Sequence, residues 1–322
     1  MDELDRHYKR LVEGALCTSL SVRSGMAAVN SGSLFSSFVS LTLCAAGAGI
    51  LSFPAAASYS SPAILVVCTI AMNAIAALTD LILAEEAFRH SASMKARTFD
   101  ELVWRSLGKG HYLAVTAQIL FGLTGALVGF LCVAGDLATP VVQTLCAPRD
   151  EAQQEPGAAC AILARREAVI LLFATFIALP LASCARIHNL RAASALAVAA
   201  VVAVAALVVA RGAAGPPAAS ALNQAAPSPL GVFLTLPIVV YASGNHVQAV
   251  NIALDGSDTT RRYFSRSIFA CFATITVIYI ATGVAGYLAF GSDTHGNVLT
   301  NFSLGDTPAD IAKILMASKL TK

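Results

Sequence analysis

Charge-free runs divide this chain into blocks too long and too apolar for a soluble fold. Residues 24–79 contain no Asp, Glu, Lys or Arg, room for two segments of about 20 residues, the length at which a helix crosses a bilayer. A turn at Tyr59-Ser60-Ser61-Pro62 separates them, which predicts spans over 34–60 and 62–84. Further apolar runs predict spans over 112–135, 168–185, 192–210, 230–254 and 267–290, with an eighth starting near Pro308 and cut off at Lys322. Only helices and closed barrels cross lipid, and runs of this length are helical. The expectation is an all-α integral membrane protein, truncated in span 8.

Two of these runs contain sequence that a helix tolerates badly. In the first, Gly47-Ala48-Gly49-Ile50-Leu51-Ser52-Phe53-Pro54 joins two glycines, each about 1 kcal/mol worse than Ala in a helix, to a proline with no N–H for the Ile50 carbonyl. The sixth run carries Tyr241-Ala242-Ser243-Gly244-Asn245-His246, with Pro237 upstream. Freed backbone groups are costly in lipid, so a broken helix persists where protein covers it or where it lines a cavity. An unwound turn offers amide N–H groups to an anion and loose carbonyls to a cation. A kink used for packing is the alternative reading.

The two breaks stand five spans apart. Five is odd, so corresponding helices would cross in opposite senses, and inverted repeats with broken spans 1 and 6 are expected. On this reading 1–33 is an N-terminal tail, 34–210 the first five-helix repeat, 211–229 a Pro/Ala/Gly-rich outer linker and 230–322 an incomplete second repeat. Lys and Arg set the orientation. One side holds Arg6, Lys9, Arg10, Arg23, Arg89, Lys95, Arg97, Arg105, Lys109, Arg186, Arg191, Arg261, Arg262 and Arg266; the other holds Arg149, Arg165, Arg166 and Arg211. Fourteen against four places the N-terminus in the cytosol. The tail lacks a basic region leading directly into a short apolar core, so no cleavable signal peptide is expected. Leu4, Tyr8, Leu11, Val12 and Ala15 would form one face of an interfacial helix, unless the tail is disordered.

Composition agrees with the pattern. The 322 residues are 57% hydrophobic and 12% charged, with a mean hydropathy of +0.71, against about 25% charged in soluble domains. A net charge of +2, with no basic block interleaved with aromatics, excludes a nucleic-acid partner.

Other candidates are local. Phe99-Asp100-Glu101-Leu102 reads as the start of a short interfacial helix with Trp104 at headgroup level, ended by Gly108. Gly125 and Gly129 have the spacing that lets helices approach closely. Asp136, at the outer end of the third run, is either a coupling or support group or a solvated interfacial carboxylate. Cys146 and Cys160 share the outer loop, as a disulfide or as two free thiols. His246 is the His well inside a predicted span, fit either to carry a proton or to support the unwound backbone. No His-Glu-x-x-His, Gly-x-Ser-x-Gly or Cys-x-x-Cys pattern is present, so neither an enzyme, a metal nor a cofactor is expected. The alternative to transport, a seven-span receptor or other non-transport membrane protein, requires an outer N-terminus in the receptor case.

The motifs resemble those of the amino acid/auxin permease family, within the amino acid–polyamine–organocation superfamily. Gly47-Ala48-Gly49-Ile50-Leu51-Ser52-Phe53-Pro54 is similar to its first-helix motif, and Phe99-Asp100-Glu101-Leu102 with Leu107-Gly108-Lys109 to its first inner loop. Gly135-Asp136, Pro180-Leu181, Ile187-His188-Asn189-Leu190 and Tyr287-Leu288-Ala289-Phe290-Gly291 match later segments. The resemblance covers about residues 33–320 and implies an amino acid transporter with ten or eleven spans. The family's Cys-His in span 6 is Asn245-His246 here. Leu43 stands where many sodium-coupled members carry Asn, which points to a proton, with sodium the less favoured ion. In such a transporter the expected substrate site is Gly47, Ala48, Gly49 and Ile50 with Tyr241, Ala242, Ser243 and Gly244, the carboxylate on the N–H groups around Ala48, Gly49 and Ile50 and the ammonium on the carbonyls around Tyr241 to Gly244. Plasma and vacuolar or lysosomal membranes both remain open.

Overall fold

The computed structural model describes residues 34–94, 99–146, 158–163, 165–179, 190–222, 228–255 and 258–302. Among these, all regular structure is helical. The tail 1–33, the loop 147–157, linker residues 223–227, the Pro180-Leu181 and Ile187-His188-Asn189 segments and the eighth span from 308 lie outside the described residues.

The first span is broken in the expected stretch, at its glycine end and not at Pro54. Helix α1 (Leu34–Ala45) stops, Ala46 and Gly47 follow, then a 3-10 turn (Ala48–Ser52) leads into α2 (Phe53–Tyr59). The axes of Ser37–Ala45 and Gly49–Tyr59 differ by 46°. Gly47 is extended, φ −91° and ψ −170°. Pro54 does not end a helix; it sits in the first turn of α2, where its missing N–H has no partner to lose.

Three predicted boundaries are corrected in the same direction. Helix α3 (Pro62–Met94) runs past Ala84. Glu85, Glu86 and Arg89 end the apolar stretch but favour helix, and Arg89 and Glu85 pair at 2.6 Å one turn apart. After α4 (Phe99–Leu107), α5 spans Lys109–Cys146, so Asp136 lies within a helix and not at its end. Gly108, at φ +81°, closes α4 as the expected C-cap, its N–H donating to the Trp104 carbonyl at 3.0 Å.

Next come α6 (Ala158–Leu163), α7 (Arg166–Phe173) with a π turn over Ala174–Ala178, α8 (Leu190–Ala214) and α9 (Ala219–Leu222). The sixth span is α10 (Pro229–Ala242) and α11 (His246–Asp255), and the seventh is α12 (Asp258–Phe290). Ser228 caps α10 by accepting from the Gly231 N–H at 3.0 Å. Because α12 begins at Asp258, Arg261, Arg262 and Arg266 lie on a helix and not in the loop expected over 255–266. Two 3-10 turns, Gly291–Asp293 and Val298–Asn301, end the described chain.

Among the described residues four helices are long and apolar enough to cross a membrane, within α3, α5, α10–α11 and α12, and five with the bent first span. The predicted fourth span, 168–185, runs into residues 180–189, and the fifth, 192–210, falls within α8, of which Val201–Ala214 forms a shorter apolar helix. Large apolar side chains point outward, Phe121 being 84% exposed and Phe233 and Val277 strongly so. In water such a surface would associate; in a bilayer it meets lipid.

Side-chain pairing fixes the helix directions. Gly49 faces Ala242, Ala56 faces Thr235, and Tyr59 faces Gly231, so numbers rise in the first span as they fall in the sixth, and the two are antiparallel. Asn73 and Asp80 reach Ser243 and His246, so spans 2 and 6 are parallel. Asn73 meets Thr276, and Phe88 meets Phe264, so spans 2 and 7 are antiparallel. These senses are what successive crossings require.

α12 is the central helix, packed on α1, α2, α3 and α8. Small residues bring it close: a Cβ at Gly283 would sit 2.6 Å from Leu65 Cδ2 and at Gly286 2.5 Å from Pro54 Cγ. Lipid and Leu are equally apolar, so such close packing, rather than exclusion of water, holds helices together here. The Tyr279 ring lies 4.4 Å from that of Phe53, and both are fully buried.

Candidate functional site

The two breaks lie against each other. A Cβ built on Gly49 would be 3.2 Å from the Ala242 Cβ, closer than carbon atoms rest. Any side chain at position 49 would require Ala242 to give way by a few tenths of an ångström.

At the first break, Ala46 and Gly47 leave the helix, with the Gly47 N–H turned back to the Ala45 carbonyl at 2.7 Å. The first bond of the 3-10 turn, Ile50 N–H to the Gly47 carbonyl, is long at 3.5 Å. The N–H groups of Ala48 and Gly49 therefore precede any internal bond of that turn, as at every helix start.

At the second break, the Ser243 N–H reaches back to the Val239 carbonyl at 3.0 Å, and Gly244 and Asn245 separate α10 from α11. Of the carbonyls assigned to the substrate ammonium, two are already engaged. That of Tyr241 accepts from the Gly244 N–H at 3.3 Å, and that of Ala242 from the Tyr279 hydroxyl at 3.2 Å. Tyr241 and Ala242 are still helical, and His246 opens α11, so the break is narrower than the expected six residues.

One buried hydroxyl ties the breaks together. Tyr279 Oη lies 2.7 Å from the Ala45 carbonyl oxygen and 3.2 Å from that of Ala242. These are the last carbonyls of α1 and α10, left without an acceptor's usual donor by the ends of their helices. Thr235, on α10, bonds to the Ala56 carbonyl at 2.9 Å and lies 3.0 Å from Ser60 Oγ, fastening the half-helices further along.

Span 2 supplies the second tie. Asn73 donates from Nδ2 to Thr276 Oγ1 and accepts at Oδ1 from Ser243 Oγ, both at 2.7 Å. Two turns further, on the same face, Asp80 is fully buried with Oδ1 2.5 Å from His246 Nδ1. His246 is the first residue of α11, so the carboxylate also sits at the positive end of that helix. Asn245, 4% exposed, has both amide atoms buried without a hydrogen-bond partner among the described residues, and so has Asp80 Oδ2.

Sequence reasoning missed this acid. Asp80 is the one charge in the second predicted span, and hydropathy averaging hid it; an ionisable residue at membrane depth was the signal. Nor was the partner of His246 foreseen, since neither role weighed for it named a carboxylate.

The remaining candidates fall elsewhere. Asp136 pairs with Arg166, Oδ1 lying 2.9 Å from Nε and 2.8 Å from Nη2, and does not join the His246 set. Cys146 and Cys160 are both free thiols. A hydrogen bond to Cys160, with burial adding to it, raises the Cys146 thiol above its usual range. No group of acidic, His or Cys residues that could hold a metal occurs among the described residues.

Side-by-side antiparallel broken helices, with an acid and an imidazole at their margin, define a multi-span membrane protein organised around a paired break. The chain belongs to the transmembrane amino acid transporter protein family, whose model matches residues 30–322. It is 26% identical over 290 residues to vacuolar amino acid transporter 5 of Schizosaccharomyces pombe, covering 87% of this chain and 64% of that one. Against amino acid transporter AVT6E of Arabidopsis thaliana it is 27% identical over 283 residues, 85% of this chain and 55% of the relative. Against human sodium-coupled neutral amino acid transporter 7 it is 24% identical over 288 residues, 88% and 60%. The chain thus spans between about half and two thirds of the length of these relatives. The family is one of transporters and not of enzymes.

Proposed function

We propose that the protein is a secondary active transporter of amino acids working by alternating access, with its substrate held between the breaks of spans 1 and 6. The observation that carries this is the antiparallel pairing of two interrupted helices, Gly49 against Ala242. It is the arrangement that inverted repeats produce at a midplane site. The α-carboxylate takes the N–H groups of Ala48 and Gly49 at the positive start of the 3-10 turn, the Ile50 N–H being turned to the Gly47 carbonyl. The ammonium takes the Ser243 and Gly244 carbonyls, because Tyr241 and Ala242 have theirs engaged. Alternating access rocks the helices carrying the two breaks against their surroundings.

The coupling ion in this reading is a proton. Leu43 offers no side-chain ligand to sodium, and the titratable pair Asp80 and His246 borders the second break. The relative named as sodium-coupled supports the other ion, so the test separates the two. Uptake of a labelled amino-acid panel is measured in proteoliposomes with pH and sodium gradients imposed in turn. Accumulation driven by the pH gradient supports the reading; accumulation only with sodium replaces the ion; none with any amino acid under either gradient overturns transport. The N-terminus is placed in the cytosol by the Lys/Arg asymmetry, and external labelling of a cysteine substituted at Ser19 or Ser257 would reverse it.

A further inference from the structure

We propose that Asp80, through its hydrogen bond to His246, is the group that takes up and releases the coupling proton. This rests on the transport reading above and assigns the ion's seat within it.

A fully buried carboxylate inside a span needs a partner or a proton. Among the described residues the one ion-pair partner of Asp80 is His246. An Arg or Lys would pin the carboxylate in its ionised form; an imidazole can exchange a proton with it. Asp80 Oδ2 is buried with no hydrogen bond among the described residues, a poor setting for an ionised oxygen and an acceptable one for the carbonyl oxygen of a carboxylic acid. The imidazole is 38% exposed while the acid is fully buried, so the proton's way in is through the ring.

The ionisable groups on the packed elements leave this pair to itself. On α12, Cys271 lies within the field of Asp80, Tyr279 is engaged by the Ala45 and Ala242 carbonyls, and the Arg261 guanidinium stacks over Phe88, two turns along α3. Arg262 and Arg266 stack on Tyr263. On α3 itself Glu85 and Glu86 pair with Arg89, and on α4 Glu101 pairs with Arg105 beside Asp100. Cys44 and Cys68 are thiols, and Tyr59 and Tyr241 are phenols, none a cation. No fixed positive charge therefore competes with His246 for the carboxylate among the described residues.

The proton balance is simple. In the empty pair, the Asp80 carboxylate accepts from the Nδ1–H of a neutral imidazole whose Nε2 carries a lone pair. A proton from the medium binds Nε2, the Nδ1–H bond breaks, and its proton forms a bond to Oδ1. The loaded pair is a neutral acid facing a neutral imidazole, one proton richer and without net charge. Reversal releases one proton. The pair joins span 2 to the first residue of α11, so loading exchanges a charged tie across the second break for an uncharged one.

The test uses the full chain in proteoliposomes, with an amino acid that the wild type accumulates under a pH gradient. Asp80→Asn keeps an oxygen for the Nδ1–H and cannot titrate. It should lose accumulation driven by the pH gradient, and its exchange of internal for external substrate should persist without pH dependence. Asp80→Glu should regain accumulation. Accumulation by Asp80→Asn with the wild-type pH dependence overturns the assignment, as does loss of exchange together with accumulation in a variant that purifies and melts like wild type. Should Asp80→Asn fail to insert, infrared spectra of wild type and Asp80→Glu decide. The buried carboxylic acid C=O band that grows on acidification shifts between the two if residue 80 carries the proton, and an unshifted band overturns it. A wild type that carries no amino acid, under any gradient, instead removes the transport reading on which the assignment rests.

Discussion

Removing one oxygen atom from Tyr279 should loosen both breaks while leaving the core otherwise intact. In Tyr279→Phe the ring keeps its place against Phe53, 4.4 Å away between centroids, and only the hydroxyl is lost. The Ala45 carbonyl still accepts from the Gly47 N–H at 2.7 Å, so the cost there is the net worth of one hydrogen bond, about 0.5–1.5 kcal/mol. The Ala242 carbonyl is left unsatisfied among the described residues, which costs about 1–3 kcal/mol in a buried site. Together these give about 1.5–4.5 kcal/mol. At roughly 2 °C per kcal/mol for a chain of this size, the midpoint of thermal unfolding should fall by about 3–9 °C. The assay is thermal unfolding of the detergent-solubilised protein, with Tyr287→Phe as control. Tyr287 is buried on the same helix, and among the described residues its hydroxyl makes no bond to either break, so its loss should change the midpoint little. If Tyr279→Phe melts with the wild type, that hydroxyl does not hold the breaks and the argument from shared carbonyls is wrong.

Two further outcomes are expected. Asn73→Ala should cost less than Tyr279→Phe, about 1–2 kcal/mol by the same melting assay, because Ser243 and Thr276 each keep a backbone acceptor, the carbonyls of Val239 and Phe272. The Cys146 thiol, held above its usual range by its hydrogen bond to Cys160, carries less thiolate at a given pH than a free cysteine. Alkylation of Cys146 followed by mass spectrometry should therefore run faster in Cys160→Ala than in wild type at the same mildly alkaline pH; an equal rate would show that the two thiols do not interact in solution.

Both breaks were legible because they are local: Gly47, Gly49, Gly244 and the polar run to His246 oppose a helix wherever they stand. Helix ends were less legible. Hydropathy stops at Glu85 and before Ser267, whereas helix continues for as long as backbone bonds and propensity allow, through Arg89 and back to Asp258. Pro54 misled in a different way, since a proline that ends one helix and a proline that starts the next look alike in sequence, and the neighbouring Ala46-Gly47 had already made the break. What joins the site was not legible. Tyr279 is 37 residues from Ala242 and 234 from Ala45, and no spacing rule connects them. Asp80 did leave a trace, a lone acid in an apolar run, but its partner 166 residues away emerges only when spans 2 and 6 are laid side by side.

The central claim is that an amino acid occupies the space where the two breaks meet, and direct binding tests it without a gradient. Binding of a labelled amino acid is measured on purified wild type and on Gly49→Val. A Cβ at Gly49 already falls 3.2 Å from the Ala242 Cβ, and two further methyl groups would fill the gap, at a cost of about 1–3 kcal/mol in overpacking. The account predicts saturable binding by the wild type and none by Gly49→Val in protein that still inserts and elutes normally; equal affinity in the two would contradict it.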